Sequence, residues 1–360
     1  MLSFNLLVLS LISMTVARPS PNTPHSIVLK RGTNDTSHTI SPSTLVEFPN
    51  PTWLENFAVR PNGQLVITLI GLPEAYIYDP IVPGPPTKLF NIPGYLALLG
   101  IVEFTPDVFY FVAGNFSSAE TPLDEGVGTY GIFKIDLRAD SSPHAPTKIL
   151  DMPKATFLNG LDILSKEDGL LVVADSGLGL IWKIDVFKRE YEVFIDVPEM
   201  KIASDAASNV QLGVNGVHIQ DGFLYFTSST QKLFCRVKIT PSGSGYTIGT
   251  IEILATEIFS DDFTLDRFGN AWITQGGPVN KVILLIGEGT RKGELITVAG
   301  AFNSSVAAGG TRCAFGRTEE DKDILYVVTN GGLAAPPDGG VTGGKVLALD
   351  TVGYLAEVLG

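Results

Sequence analysis

Asn159-Gly-Leu-Asp-Ile163 and Asn215-Gly-Val-His-Ile219 are two copies of one pattern: a polar opening residue, then apolar residues at the third and fifth places. Four further segments align with them: Glu55-Asn-Phe-Ala-Val59, Leu99-Gly-Ile-Val-Glu103, Asp261-Asp-Phe-Thr-Leu265 and Thr311-Arg-Cys-Ala-Phe315. Only the Leu99 copy breaks the pattern, with Glu103 at its fifth place. The openings recur every 44 to 60 residues, and most precede an apolar strand such as Gln64-Leu-Val-Ile-Thr68 or Phe223-Leu-Tyr-Phe-Thr227. A repeating unit of that length, built from short strands, is the signature of a β-propeller. The chain therefore reads as all-β, a six-bladed β-propeller with four-stranded antiparallel blades. In a closed ring the six opening residues converge on one end of the central axis.

The remaining sequence fits that frame. A propeller needs each blade to pack on two neighbours, and 360 residues, 44% of them hydrophobic, supply enough apolar surface for one ring. The repeat runs without a linker-like gap, so residues 44–360 read as one propeller domain. Thr44-Leu-Val-Glu-Phe48 alternates like a strand ahead of the first unit and is placed to complete the last blade as a latch. Pro61-Asn-Gly63, Asp221-Gly222 and Phe268-Gly-Asn270 are tight-turn signals between first and second strands. Asp136, Asp185 and Asp350, each ending an Ile-Asp or Leu-Asp strand, read as turn formers.

Residues 1–17 read as a secretory signal, with an apolar core from Leu6 to Ile12 and a small-residue cleavage site at Thr15-Val-Ala17. That core is too short to span a bilayer, and nothing later reads as a membrane span. Residues 18–43 are rich in Pro, Ser, Thr and Asn, an unstructured or propeptide segment that includes the dibasic pair Lys30-Arg31. Sequons at Asn34, Asn115 and Asn303 suit a glycoprotein of the secretory pathway, secreted or vesicular. The net charge of −13 argues against nucleic acid as a partner. Cys235 and Cys313 fall in units that do not touch in a ring of six, so they read as two buried free thiols.

Four openings carry oxygen donors: Glu55, Asn159, Asn215 and Asp261. Their two acids offset a divalent charge, and a hard cation such as calcium takes its ligands from carboxylates and amide carbonyls. No His or Cys stands at an opening, which disfavours zinc and copper. Singly, each of these residues also suits a strand-entry cap; four in register favour a metal site. His218 is the one histidine in a core strand, and Asp162 holds the matching place one unit earlier, so a His218–Asp162 contact is expected. Thr311 and Arg312 add a hydroxyl and a guanidinium at the sixth opening, while Leu96, Leu98 and Leu99 make the second apolar. Candidate catalytic residues are therefore Asp261, His218, Thr311 and Arg312. The mouth suits an apolar small molecule with one polar end.

The pattern resembles the gluconolactonase, senescence-marker-protein and paraoxonase superfamily of six-bladed propellers, through Asn159-Gly-Leu-Asp162, Glu55, Asn215 and Asp261. The resemblance implies one divalent ion, calcium, held by Glu55, Asn159, Asn215 and Asp261. The second unit lacks the histidine pair of paraoxonases and the polar residues of sugar lactonases. The leader, sequons and dibasic pair resemble a fungal secreted branch acting in secondary-metabolite biosynthesis. Some of its members are hetero-Diels-Alderases, which join an o-quinone methide to a terpene. That resemblance implies an enzyme of this kind, with a calcium-dependent lactonase or esterase as the alternative; the sequons and the closed ring favour a monomer.

Overall fold

The computed structural model describes residues 39–82, 84–116, 126–138, 144–207, 210–243 and 245–359. The leader, Lys30-Arg31, the Asn34 sequon and Ser117 of the Asn115 sequon lie outside the described residues. Strand β1 (Ser43–Glu47) comes first. The chain then runs through β2 (Trp53–Val59), β3 (Leu65–Ile70), β4 (Glu74–Tyr78) and β5 (Thr87–Asn91). The second unit is β6 (Ala97–Thr105), β7 (Val108–Gly114), β8 (Gly131–Asp136) and β9 (Thr147–Asp151). The third is β10 (Leu158–Ser165), β11 (Leu170–Asp175), β12 (Leu180–Asp185) and β13 (Glu190–Ile195). The fourth is β14 (Val214–Gln220), β15 (Phe223–Ser228), β16 (Leu233–Ser242) and β17 (Gly245–Ala255). The fifth is β18 (Phe263–Leu265), β19 (Ala271–Gln275), β20 (Lys281–Leu285) and β21 (Leu295–Gly300). The last is β22 (Gly310–Phe315), β23 (Ile324–Thr329) and β24 (Lys345–Asp350), followed by the short helix α1 (Tyr354–Leu359).

The sheets are antiparallel throughout and the fold is a β-propeller. Three of the units are separate four-stranded sheets, and β2–β5 joins β6–β9 only through the pair Ile70–Ala97. The last unit takes β1 as its fourth strand, Glu47 opposite Lys345, so the two ends of the chain share one sheet. Just ahead of β1, within the segment read from sequence as unstructured, Ile40 N–H donates to Val298 O of the fifth unit at 2.7 Å and its side chain packs on the core. First strands contact one another in order, β2 to β6, β10, β14, β18 and β22, and β22 contacts β2 again. An apolar cluster fills each interface. Leu54, Phe57 and Tyr326 lie in the one that closes the ring, and Leu99, Phe157 and Trp182 in the one between the second and third units. Second strands such as β3, β7 and β23 are buried along their whole length because both faces meet a neighbouring unit.

Local chemistry follows the sequence. Asp221 and Gly222 both adopt positive φ at their hairpin. Asp136, Asp185 and Asp350 each accept from a backbone N–H two residues on. Cys235 and Cys313 are buried free thiols.

Around the axis the first strands approach too closely for ordinary side chains. A Cβ added to Gly100 would lie 2.3 Å from Asn159 O, and one on Gly160 would lie 2.7 Å from Asn215 O. Threonines of the second strands add hydrogen bonds between units: Thr68 Oγ1 donates to Leu99 O at 2.8 Å, Thr227 Oγ1 to Asp261 O at 2.6 Å and Thr274 Oγ1 to Thr311 O at 3.1 Å. Gly100→Ala should therefore cost about 2 kcal/mol in urea unfolding. Gly245→Ala, with nothing within 4 Å of its added carbon, should be neutral or slightly stabilising. Equal stability of the two variants would show that the axis has slack.

Candidate functional site at the axial mouth

The opening residues leave the strand ladder because the first strands bulge there. Leu54 pairs with Leu69 and Asn56 with Thr68, leaving Glu55 outside the ladder. The same shift falls at Leu99-Gly100, Asn159-Gly160, Asn215-Gly216 and Thr311. In the fifth unit, Asp261 N–H donates to Thr274 O and Thr274 N–H to Asp262 O, both at 3.0 Å, which produces a similar two-for-one pairing. A bulge inserts one residue and re-aims its side chain. Sequence spacing locates the openings but not this device.

Glu55, Asn159 and Asn215 are 4%, 5% and 3% exposed. Glu55, Asn215 and Asp261 share one electrostatic space. Burial, then the charges of Glu55 and Asp262, push the Asp261 carboxyl well above the usual carboxylate range, and a hydrogen bond from Asn215 offsets part of this. Burial pushes Glu55 up to about 7, against a donation from Trp53, with the Asp262 charge adding to the rise. Asn215 Nδ2 donates to Ser229 Oγ at 3.0 Å, yet Asn215 Oδ1 is buried with no partner among the described residues. Two carboxyls that resist ionisation beside an orphaned amide oxygen form an oxygen-rich cradle lacking positive charge. Among the described residues no three His, Cys, Asp or Glu side chains group as metal ligands, so the carboxamides must complete any cation site.

A second charged layer adjoins the first. Asp262 is the hub. It accepts from Arg312 NH1 at 2.8 Å, Asn56 Nδ2 at 3.1 Å and Phe263 N–H at 2.8 Å, and its Oδ1 lies 3.0 Å from His218 Nε2. Burial alone would raise its pKa, but the Arg312 and His218 charges outweigh it and hold the carboxyl far below its ordinary range. His218 Nδ1 lies 3.4 Å from Asp162 Oδ2, so the expected contact forms. Burial and Arg312 press His218 towards neutrality, but Asp262 and Asp162 prevail and its pKa rises. The doublet Asp261-Asp262 thus divides into a poorly ionised acid at the mouth and a fully ionised one paired beside it. That division depends on Arg312, fifty residues beyond Asp262 in the chain, and is not visible in the doublet itself.

Three expectations change. The Thr311 hydroxyl, in a residue 1% exposed, donates to Leu54 O at 2.8 Å with Val328 O at 3.2 Å, so it joins two strands and is not presented to a substrate. Arg312 NH1 is committed to Asp262 and to Phe263 O at 2.9 Å and lies against His218 Nε2, while Nε is buried without a partner among the described residues. Its guanidinium is therefore a counter-ion first. Leu98 and Leu99 are 0% exposed and belong to the core; Leu96 alone of the three reaches solvent, at 44%.

The apolar side of the mouth comes from residues that the repeat does not mark. Antiparallel order puts the connections after second and fourth strands at the same end as the openings. On these stand the exposed Leu72, Leu96, Val127 and Leu178 in the first three units, and Phe302 and Val306 after the fourth strand of the fifth. Trp53, two residues ahead of Glu55, donates Nε1–H to Glu55 Oε2 at 2.8 Å. Its ring meets Phe116 edge-on at 6.3 Å, and Phe116 lies 4.7 Å from Phe157. The spacing of Trp53 from an opening acid was the only signal available. A depression of about 770 Å³ lined by Asp221, Arg267, Phe268, Asn270, Glu288 and Leu355 lies at the opposite end of the ring, among the turns between first and second strands and beside α1.

No family model matches the chain. A protein of a Phoma species, provisionally named hetero-Diels-Alderase, is 28% identical over 309 residues, covering 79% of this chain and 86% of that protein. A protein of Sarocladium schorii, provisionally named hetero-Diels-Alderase asR5, is 26% identical over 360 residues, covering 91% of this chain and 88% of that one. Among solved structures, a regucalcin of Agrobacterium tumefaciens, described as calcium-binding, superposes with a TM-score of 0.57 at 16% identity, over 88% of this chain and 95% of its own. Both comparisons agree with the resemblance drawn from the motifs, and the second shows the fold.

The raised Glu55 pKa has a signed consequence. Its folded value of about 7 exceeds the ordinary 4.5, so the folded chain keeps a proton that the unfolded chain loses. The stability from this site is complete below the unfolded value and is lost as pH rises through about 7, a cost on the order of 2–3 kcal/mol. In EDTA, Glu55→Gln should melt above wild type at pH 8 and level with it near pH 5. A wild-type protein that gains on the variant over that interval would place Glu55 in a different environment.

Proposed function

We propose that this chain is a secreted enzyme that holds an apolar natural-product intermediate at the axial mouth and acts as a hetero-Diels-Alderase, joining an o-quinone methide to a terpene alkene. The observation that carries this reading is the likeness, across most of the chain, to two proteins provisionally named for that activity. In such a cycloaddition the four-atom O=C–C=C unit and the alkene form one C–O and one C–C bond, and no atom leaves. The chemistry asks for no nucleophile. It asks that two partners be held in a reactive geometry, that electron density be drawn from the quinone-methide oxygen, and that water be kept away.

The residues at the mouth suit those tasks. Trp53 and the exposed Leu72, Leu96 and Leu178 offer an apolar flank beside a buried polar ring, with Phe116 packed behind Trp53. Glu55, Asn159, Asn215 and Asp261 fit a divalent cation, calcium by their oxygen chemistry, because the cradle has an unpartnered amide oxygen and two carboxyls that lack a counter-charge. When bound, such an ion supplies a Lewis acid for a carbonyl-type oxygen. Asp262, fixed by Arg312, Asn56 and His218, positions the adjacent Asp261. The leader, the sequons and the closed ring support a secreted, glycosylated monomer.

One observation favours a calcium-dependent lactonase or esterase as a second reading: His218 lies between two carboxylates, an arrangement able to hold a proton taken from water. The two readings separate experimentally. With an o-quinone methide released in situ from a stable precursor and a terpene alkene, the protein should speed adduct formation and shift the stereoisomer ratio. Identical rates and ratios with and without protein would overturn the first reading. EDTA should abolish hydrolysis of an aryl ester or γ-lactone under the second, and undiminished turnover would reject it. Calcium should raise the melting temperature of wild type by several degrees and leave Asp261→Asn unmoved; equal shifts would remove Asp261 from the ion site.

A further inference from the structure

The three tryptophans of this chain are used in two ways. Trp182 and Trp272 are buried in the core and donate to Asp175 and Asp266 at 3.0 and 3.1 Å, where Asp175 also ties down Thr156 and Phe157 and Asp266 anchors a turn. Trp53 is only partly buried. Its acceptor is Glu55, an acid of the axial ring, and its ring lies on the border between that polar ring and the aromatic row Phe116–Phe157. The hydrogen bond fixes the indole at one edge, and the contact with Phe116 fixes it at another. A partly buried indole held at two edges is a rigid planar surface beside the reacting end of the site, with little rotamer freedom left to lose on binding.

The alkyl surface around it is of another kind. Leu72 and Leu96 flank the same first-to-second unit boundary and are branched, exposed and aliphatic. The mouth therefore pairs a flat aromatic surface with a separate aliphatic one. A planar conjugated ring gains from a stacked or edge-on aromatic neighbour, whereas a terpene hydrocarbon gains only from area burial.

Resting on the cycloaddition reading, we propose that Trp53 is the platform for the arene half of the substrate. It holds the o-quinone methide ring with its oxygen towards the polar ring, while Leu72 and Leu96 take the terpene half. Trp53 thereby determines specificity for a conjugated ring and sets which face of that ring the alkene meets.

The probe is 2-(hydroxymethyl)phenol, the water adduct of the parent o-quinone methide, titrated into the full-length protein and followed by calorimetry and by tryptophan fluorescence. Wild type should bind it with quenching of the Trp53 emission. Trp53→Phe keeps a ring and loses the N–H, and should bind within about twofold of wild type. Trp53→Leu keeps apolar bulk and loses the ring, and should bind roughly tenfold more weakly, the worth of one aromatic contact. Circular dichroism and melting of both variants report folding separately. A folded Trp53→Leu that binds like wild type, or a wild type that does not bind the probe, overturns the platform. Adduct formation distinguishes the two layers of the argument. Ring-dependent probe binding without any acceleration sinks the cycloaddition reading and leaves the arene subsite. Equal acceleration and an equal isomer ratio with wild type and Trp53→Leu keep the cycloaddition and sink the platform.

Discussion

The close approach of first strands around the axis governs everything else at this site. Glycines at 100 and 160 let one strand's backbone sit where the next strand's Cβ would otherwise be. The contact is so tight that a full ladder cannot be kept, and the openings bulge out of register. Of the displaced residues, Glu55, Asn215 and Asp261 share the axial space, while Leu99 turns into the core. A polar side chain there is taken from water whether or not a partner is at hand, and its cost is that of an unpaired buried group. Threonines of the second strands satisfy the carbonyls of Leu99, Asp261 and Thr311, and the acid side chains remain as the unresolved charge.

That charge is resolved unevenly. Glu55, Asp261 and Asp262 lie in one buried region with a guanidinium and an imidazole near only the last of them. Asp262 takes nearly all the compensation, through Arg312, His218, Asn56 and its own neighbour's N–H. Glu55 and Asp261 are left to repel each other. A structure selected for stability alone would have neutralised all three or none. Keeping one acid fixed and two uncompensated gives a rigid base under a ring with spare affinity for positive charge or for a hydrogen-bond partner.

Much of this was legible in the sequence. The repeat located the first strands, the latch at Thr44 to Phe48, the turns at Asp221-Gly222 and the free thiols, because these follow from local pattern and ring geometry. His218 with Asp162 was legible for the same reason: equal places in adjacent units must meet. What the pattern hid was direction. Thr311 stands at an opening like the others, but its hydroxyl bonds to backbone on either side, and Leu99 turns wholly into the core. Arg312 was legible as a charge near the mouth but not as the partner of Asp262, since that depends on which way a long side chain folds. Trp53 and Phe116 lie outside the repeated segments, so no register argument reaches them.

The division between repeated and unrepeated residues has a physical basis. Residues within the repeat are constrained by ring closure, so propellers of unlike function can share a polar ring at the same place. Residues at the very start of the first strand and after the second strand stand outside the repeated segments, and they are freer to set what the ring faces. Here they supply an indole, a phenylalanine and several aliphatic side chains where a hydrophilic substrate would need donors and acceptors. Trp53 belongs to both groups of residues. Its N–H is committed to the ring through Glu55 and its ring packs at right angles to Phe116, so the polarity of the acid and the position of the indole cannot vary independently. A substrate with one oxygen on a conjugated ring meets both features at the single distance that this hydrogen bond fixes, which is the strongest structural reason to seek an oxygenated arene at this mouth before a sugar.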